Sequence, residues 1–156
     1  MKTQQISDSL RALAELTDRA ALDRLVTDYL RSLDERSFDD DWARRFFTDD
    51  ARSETPVGVH EGAGAQLTST REAMALFRRT VHFGTNLSVD FDGEDRAFLR
   101  WNQLSTHVLG EPERLFESGG HSEAEAVRTT DGWRLRRIAL RIAWTKGEPP
   151  VLPHRR

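Results

Sequence analysis

Histidine is the side chain whose ordinary pKa falls in the physiological range, which makes His82 and His107 the first candidates for proton-transfer chemistry. His107 ends the series Trp101, Gln103, Ser105, His107, spaced by two within the stretch WNQLSTHVLG. At the period of a strand these side chains share one face with Leu99. Polar groups in a row are costly to bury without partners, but they suit a pocket wall, which is mostly apolar with a few placed polar atoms. The opposite arrangement would turn Asn102, Leu104, Thr106 and Val108 inward, and Leu99 and Trp101 argue against it. His82, in VHFGTN, has Gly84, Asn86 and Ser88 as strand-mates, with Val81, Phe83, Thr85 and Leu87 on the more apolar face. It is either an ordinary satisfied histidine or, with a carboxylate on its ring, an oriented general base.

Asp34 is a candidate for that carboxylate. It falls at the C-terminal end of a helical pattern, on the flank of Val26 and Leu30. The helix dipole and burial both disfavour an anion there, so an aspartate held in that place needs a cationic or N–H partner. On the residues alone, an exposed and fraying helix end shared with Glu35 and Arg36 is the plainer reading. His60 and His121 are weaker candidates. His121 alternates with Glu123 and Glu125 and is expected outside, with Ser122, Ala124 and Ala126 inside, unless Gly119-Gly120 bulges the strand and reverses the order. The histidine spacing fits no standard zinc motif, and neither a phosphate loop nor GxSxG is present.

The elements that must hold these residues follow from periodicity. Leu10, Leu13, Ala14 and Leu16 suggest a short first helix, with Thr17 capping a second that carries Leu22, Leu25, Val26, Tyr29, Leu30 and Leu33. A third short helix is expected over residues 39–47, ended by TDDA, with Trp42, Phe46 and Phe47 buried. A strand near residues 52–55 and a glycine-rich loop, PVGVHEGAGAQ, come next. Ser69 then caps the helix TREAMALFRR, with Ala73, Met74 and Phe77 inward. From Thr80 the period changes to two, in two hairpins that turn at FDGED and TDG. Helices first and long antiparallel strands afterwards indicate an α+β domain with a concave mouth.

A chain of 156 residues makes one domain. A net charge of −3 gives no reason to expect nucleic acid or an anionic membrane as partner. The absence of cysteine excludes disulfides, thiol nucleophiles and cysteine metal sites and fits a cytoplasmic protein. MKTQQISDSL lacks the apolar run of a signal peptide, and the basic end His154-Arg155-Arg156 is read as solvated.

The order of Tyr29 and Asp34 on a helix, FFTDDA, the glycine loop, VHFGTN and DGWRLRRIALRIAW resembles the SnoaL-like branch of the nuclear transport factor 2-like superfamily, over residues 17–147. The resemblance implies a cone-like curved antiparallel sheet, a cystatin-like barrel, wrapped around N-terminal helices. The short first helix and the C-terminal tail would lie outside that core. Asp34, His82 and His107 match the positions of an Asp-His-His set in scytalone dehydratases, and Ser122 matches a pocket serine of that family. Tyr29, Asp34 and His82 match a set in bile-acid 7α-dehydratases, and Arg141 an arginine on their last strand. The water-holding tyrosines of scytalone dehydratases have no counterpart, since Leu33 and Thr55 stand there and Tyr29 is the only tyrosine.

The expected activity is that of a cofactor-independent, metal-free dehydratase-type lyase or isomerase acting on a cyclic, largely apolar, polyketide- or steroid-like molecule. His82, oriented by Asp34, would be the base. His107 would polarise or protonate the leaving hydroxyl, and Tyr29 would donate to a carbonyl as enolate charge develops. Trp101, Gln103, Ser105, Ser122, Asn86 and Arg141 would contact substrate. A polyketide cyclase uses the same proton transfers, and a non-catalytic ligand-binding module would use the same pocket. A homo-oligomer is expected, a trimer by resemblance or else a dimer, with Leu104, Val108, Val127, Ile138 or Ile142 covering the outer sheet face.

Overall fold

The computed structural model describes residues 1–151, so the basic end at His154 to Arg156 lies outside the described residues. The chain opens with one continuous helix, α1 (Lys2–Glu35), where two were expected. Neither glycine nor proline interrupts the stretch, and the Thr17 hydroxyl donates back to the Leu13 carbonyl at 2.9 Å instead of capping a new helix. Only the second half is packed, through Leu22, Leu25, Val26, Leu30 and Leu33. Each such side chain contributes about 1.5–3 kcal/mol when fully buried.

α2 (Trp42–Phe46) buries Trp42 and Phe46. Phe47 begins β1 (Phe47–Thr55), so TDDA lies inside a strand rather than at a helix end. The expected loop contains β2 (Gly58–Glu61), which folds back antiparallel on β1 from Arg52↔Glu61 to Thr55↔Gly58. Gly58, at φ 137°, takes the turn that a side chain would resist. α3 (Ala63–Ala75) starts earlier than expected, and Ser69 sits inside it with its hydroxyl on the Gln66 carbonyl.

β3 (Arg79–Phe91), β4 (Arg96–Leu109), β5 (Arg114–Thr129) and β6 (Gly132–Lys146) form the expected hairpins. The sheet runs β2-β1-β6-β5-β4-β3, antiparallel except for β1 beside β6. It is curved and unclosed, an α+β architecture with the helices packed against its concave side. β4 alternates without a break, burying Leu99, Trp101, Gln103, Ser105, His107 and Leu109.

β3 does not alternate throughout. Its pairing with β4 shifts between Thr85 and Ser88, where Asn86 takes φ 58°. The extra residue exchanges the faces, so His82 and Gly84 point inward before it and Leu87 and Val89 after it. On β6, Ile138, Leu140 and Ile142 line the inner face, so Ile138 and Ile142 do not cover the outside as expected. Among the described residues no helix is long and apolar enough to cross a membrane.

α1 is fastened at three places. Asp18 accepts from Arg128 and from the Trp133 indole at 3.1 Å. Arg19 donates to the Val89 carbonyl at 2.8 Å. Arg36, in the left-handed region at φ 58°, stops the helix and donates to the carbonyls of Met74, Phe77 and Arg78. These bonds set the last turn of α1 against the start of β3.

Candidate active site

That junction places Asp34 over the first residues of β3. Its carboxylate accepts from the Thr80 hydroxyl at 2.8 Å and from the His82 backbone N–H at 3.0 Å, and Oδ1 lies 2.6 Å from His82 Nδ1. Three donors offset the unfavourable helix end. A carboxylate beside Nδ1 assigns the ring hydrogen to that nitrogen, which leaves a lone pair on Nε2. The His82 side chain is 4% exposed. His82 lines the central cavity and Asp34 does not, so the acid can reach a bound molecule only through the ring. Asp34 is 25% exposed, and it borders a separate surface cleft on the far side of His82. The frayed-end reading of Asp34 is therefore replaced by a partnered one.

His107 stands edge-on to His82, with ring centroids 5.6 Å apart and planes at 84°. Phe77 and Phe116 flank it at 4.3 and 5.7 Å. Its Nδ1 is 3.1 Å from the Phe116 carbonyl, which can only accept, so Nδ1 carries the hydrogen and Nε2 is bare. Burial holds the His107 pKa below the usual histidine value. The Phe116 carbonyl opposes that shift, a charged His82 reinforces it, and Asp34 opposes it. Neutral His107 in this tautomer accepts a hydrogen bond at Nε2 and has no Nε2 proton to give. The expected role of protonating a leaving group does not fit it.

Tyr29 lines the cavity below Phe46 and Phe47, whose rings meet it edge-on at 5.8 and 5.7 Å. Burial pushes its phenol up to about 12, so the hydroxyl keeps its proton and can donate. Gln103 Oε1 accepts from the Trp101 indole N–H at 3.2 Å and from the Ser122 hydroxyl at 3.0 Å. An indole nitrogen is only a donor, so the amide orientation is fixed and the Gln103 NH2 is left for the cavity it lines. Ser105 and Ser122 line the same wall.

Three expected contacts lie elsewhere. Trp101 is 1% exposed and belongs to the core, where it orients Gln103. Asn86 is carried to the exposed side by the β3 irregularity and shares a hydrogen bond with Thr85. Arg141 is on the outer face, 3.0 Å from Glu54, because Ile142 next to it points in. His121 is also absent from the cavity and lies beside Glu123, as alternation suggested. His60, a weaker candidate from its sequence context, lines the cavity, and its buried Nδ1 has no hydrogen-bond partner among the described residues. Ser53, Gln66, Thr70, Ser118 and Thr145 add further polar groups to the lining, and nothing in their own sequence context marks them as pocket residues. The pairs Ser53↔His60 and Ser105↔Ser118 follow from strand register, which a single sequence does not print.

The cavity has a volume of about 400 Å³, within the range of small-molecule sites. Its walls include Leu33, Met74, Phe77, Phe116, Ile138 and Leu140, and among the described residues no aspartate, glutamate, lysine or arginine lines it. Among the described residues its titratable groups are Tyr29, His60, His82 and His107. Among the described residues no set of three metal-ligating side chains converges. The arrangement offers one oriented histidine, one neutral histidine acceptor and hydroxyl and amide donors inside a largely apolar chamber.

Comparison with known proteins places that chamber in context. The SnoaL-like domain family matches residues 14–139. An uncharacterized protein of Mycobacterium tuberculosis is 31% identical over 130 residues, covering 81% of this chain and 86% of its own. Among solved structures, a protein of Novosphingobium aromaticivorans assigned as a scytalone dehydratase aligns with TM-score 0.78 at 23% identity, covering 93% of each chain. A type 2 hexachlorocyclohexane dehydrochlorinase aligns with TM-score 0.80 at 21% identity, covering 92% of this chain and 97% of its own. These two likenesses are of fold.

Proposed function

The chain belongs to the SnoaL-like domain family, and from that premise we propose that it is a cofactor-independent lyase of the dehydratase type acting on a neutral, largely apolar cyclic molecule. The observation that carries this reading is the Asp34–His82 pair, with Nδ1 of His82 held at 2.6 Å and the ring entering the cavity. His82 Nε2 removes a proton from carbon beside a carbonyl. Asp34 holds the ring and stabilises the imidazolium that forms. Tyr29, and the NH2 of Gln103, donate to the carbonyl oxygen as it gains enolate charge. His107 Nε2 accepts the hydrogen of the leaving hydroxyl and so turns an oxygen lone pair toward His82. The proton on His82 Nε2 passes to that oxygen, the C–O bond breaks, and water leaves. The net change is one C–H and one C–OH bond exchanged for a C=C bond and water, with both histidines restored.

The lining supports a neutral substrate, because among the described residues no lysine or arginine lines the cavity to hold a carboxylate or phosphate. The two structural neighbours are named for eliminations, one of water and one of hydrogen chloride. The test is to incubate the protein in deuterated water with a panel of cyclic β-hydroxy ketones, following deuterium uptake and water loss by mass spectrometry. Exchange or elimination that disappears in His82→Ala supports the reading. Ligands that bind and return unchanged throughout the panel would make the chain a binding module.

A further inference from the structure

Among the described residues, the first half of α1 buries no side chain against the domain. Every residue from Met1 to Thr17 is exposed, whereas Leu22, Leu25, Val26, Leu30 and Leu33 are buried. The exposed half is nevertheless striped. Ile6, Leu10, Leu13 and Leu16 are 60%, 61%, 59% and 64% exposed. Ile6, Leu10, Leu13 and Thr17 follow the alternating four- and three-residue steps of a coiled-coil seam. At roughly 100° per residue, the centre of Ile6, Leu10 and Leu13 lies about half a turn from the centre of the buried set. The apolar face therefore changes sides along one unbroken helix. The domain that covers Leu22 to Leu33 cannot also cover Ile6 to Leu13, and an uncovered helix of this length is marginal in water.

The face is also uncharged. Between Thr3 and Thr17 the charged residues are Asp8, Arg11 and Glu15, and all three project from the opposite side. Small residues, Ser9 and Ala14, flank the leucines and allow another helix to come close. An identical neutral stripe meets it without like-charge repulsion, and antiparallel helices oppose their dipoles favourably.

We propose that this stripe is a dimerisation seam for a second copy of the chain. The two helices lie antiparallel about a two-fold axis between Arg11 and Ala12, stacking Leu10 on the partner's Leu13 and Ile6 on the partner's Thr17. Because the stripe faces away from its own sheet, the two domains sit at opposite ends of the helix pair, and each cavity stays accessible.

Sedimentation of the full chain at tens of micromolar tests this. The wild type should sediment as two chains. The double variant Leu10→Asp, Leu13→Asp should sediment as one, with thermal unfolding of the domain unchanged. The chain has no cysteine, so single-cysteine variants report the register. Leu10→Cys mixed with Leu13→Cys should cross-link on oxidation faster than either alone. A monomeric wild type overturns the proposal. An oligomer that survives the double variant, as a trimer built on the outer sheet face would, also overturns it. So does Leu10→Cys cross-linking alone as fast as the mixture, which would mean parallel helices. A wild type that stays monomeric and binds anionic vesicles through this helix would assign the stripe to a membrane instead.

Discussion

Asp34 Oδ1 lies 2.6 Å from His82 Nδ1, and of the two only His82 reaches the cavity. The acid is built from the end of α1 and the base from the start of β3. The distance between them therefore depends on how those two elements pack.

Gly84 controls that packing. A Cβ at this position would come within 2.5 Å of Leu30 Cδ1 and 3.4 Å of Trp101 Cδ1. Gly84→Ala should push α1 off β3 and cost about 1–3 kcal/mol of stability. Activity should fall further than stability predicts, because Asp34 and His82 separate. Urea unfolding and turnover on the same variant check this. An unchanged midpoint with full turnover would mean that Leu30 moves aside freely.

Thr80→Val tests a residue that never enters the proton path. Its hydroxyl is one of three donors to Asp34. The loss should cost about 1 kcal/mol of stability. Turnover should drop about tenfold or less, since two donors remain. A loss as large as that of a base-deleting variant would mean that Thr80 does more than hold the carboxylate.

Ser122→Ala removes one of the two hydrogen bonds that orient Gln103. The fold should persist, because the Trp101 bond and the core packing are untouched. The Gln103 amide becomes freer to turn, so carbonyl substrates should bind more weakly and react more slowly. Unchanged kcat/KM would mean that the Gln103 NH2 does not meet the substrate.

His107 makes stability depend on pH in a stated direction. Burial, the largest cause, lowers its pKa in the folded protein below the unfolded value of about 6.5. The unfolded chain therefore binds the proton first. The His107 contribution to stability is complete above about pH 6.5 and declines as pH falls through that value toward the folded one. Urea midpoints at neutral and mildly acid pH should differ more for the wild type than for His107→Gln. Equal differences would contradict the buried, neutral assignment.

The sequence reveals most where alternation runs unbroken. β4 keeps period two from Leu99 to Leu109, so the inward positions of Gln103, Ser105 and His107 are legible in the residues alone. β3 is not legible in that way, since one irregularity after Thr85 reverses the faces and strands Asn86 outside. Arg141 follows from the resemblance alone, and the residues do not decide its face, because Ile138 and Ile142 read as outer-face contacts until the structure turns them inward. Thr80 and Asp34 are 46 positions apart, and only packing shows that they touch. Two helices were expected in place of α1 because Thr17 reads as the N-cap of a second one. The backbone has no reason to break there, and it continues.

The most direct test is single-turnover elimination by the wild type and Asp34→Asn on one substrate. The substitution keeps shape and volume and replaces the acceptor of the His82 Nδ1 hydrogen with a neutral amide. The imidazolium then forms without a countercharge, and the amide NH2 favours the tautomer whose lone pair faces away from the cavity. Asp34→Asn should slow the chemical step between about a hundredfold and ten-thousandfold. Thermal unfolding should still be cooperative, and imidazole nitrogen spectra should show the His82 hydrogen moved from Nδ1 to Nε2. An Asp34→Asn protein within about threefold of the wild type, with its hydrogen still on Nδ1, would contradict an Asp34-oriented base at His82.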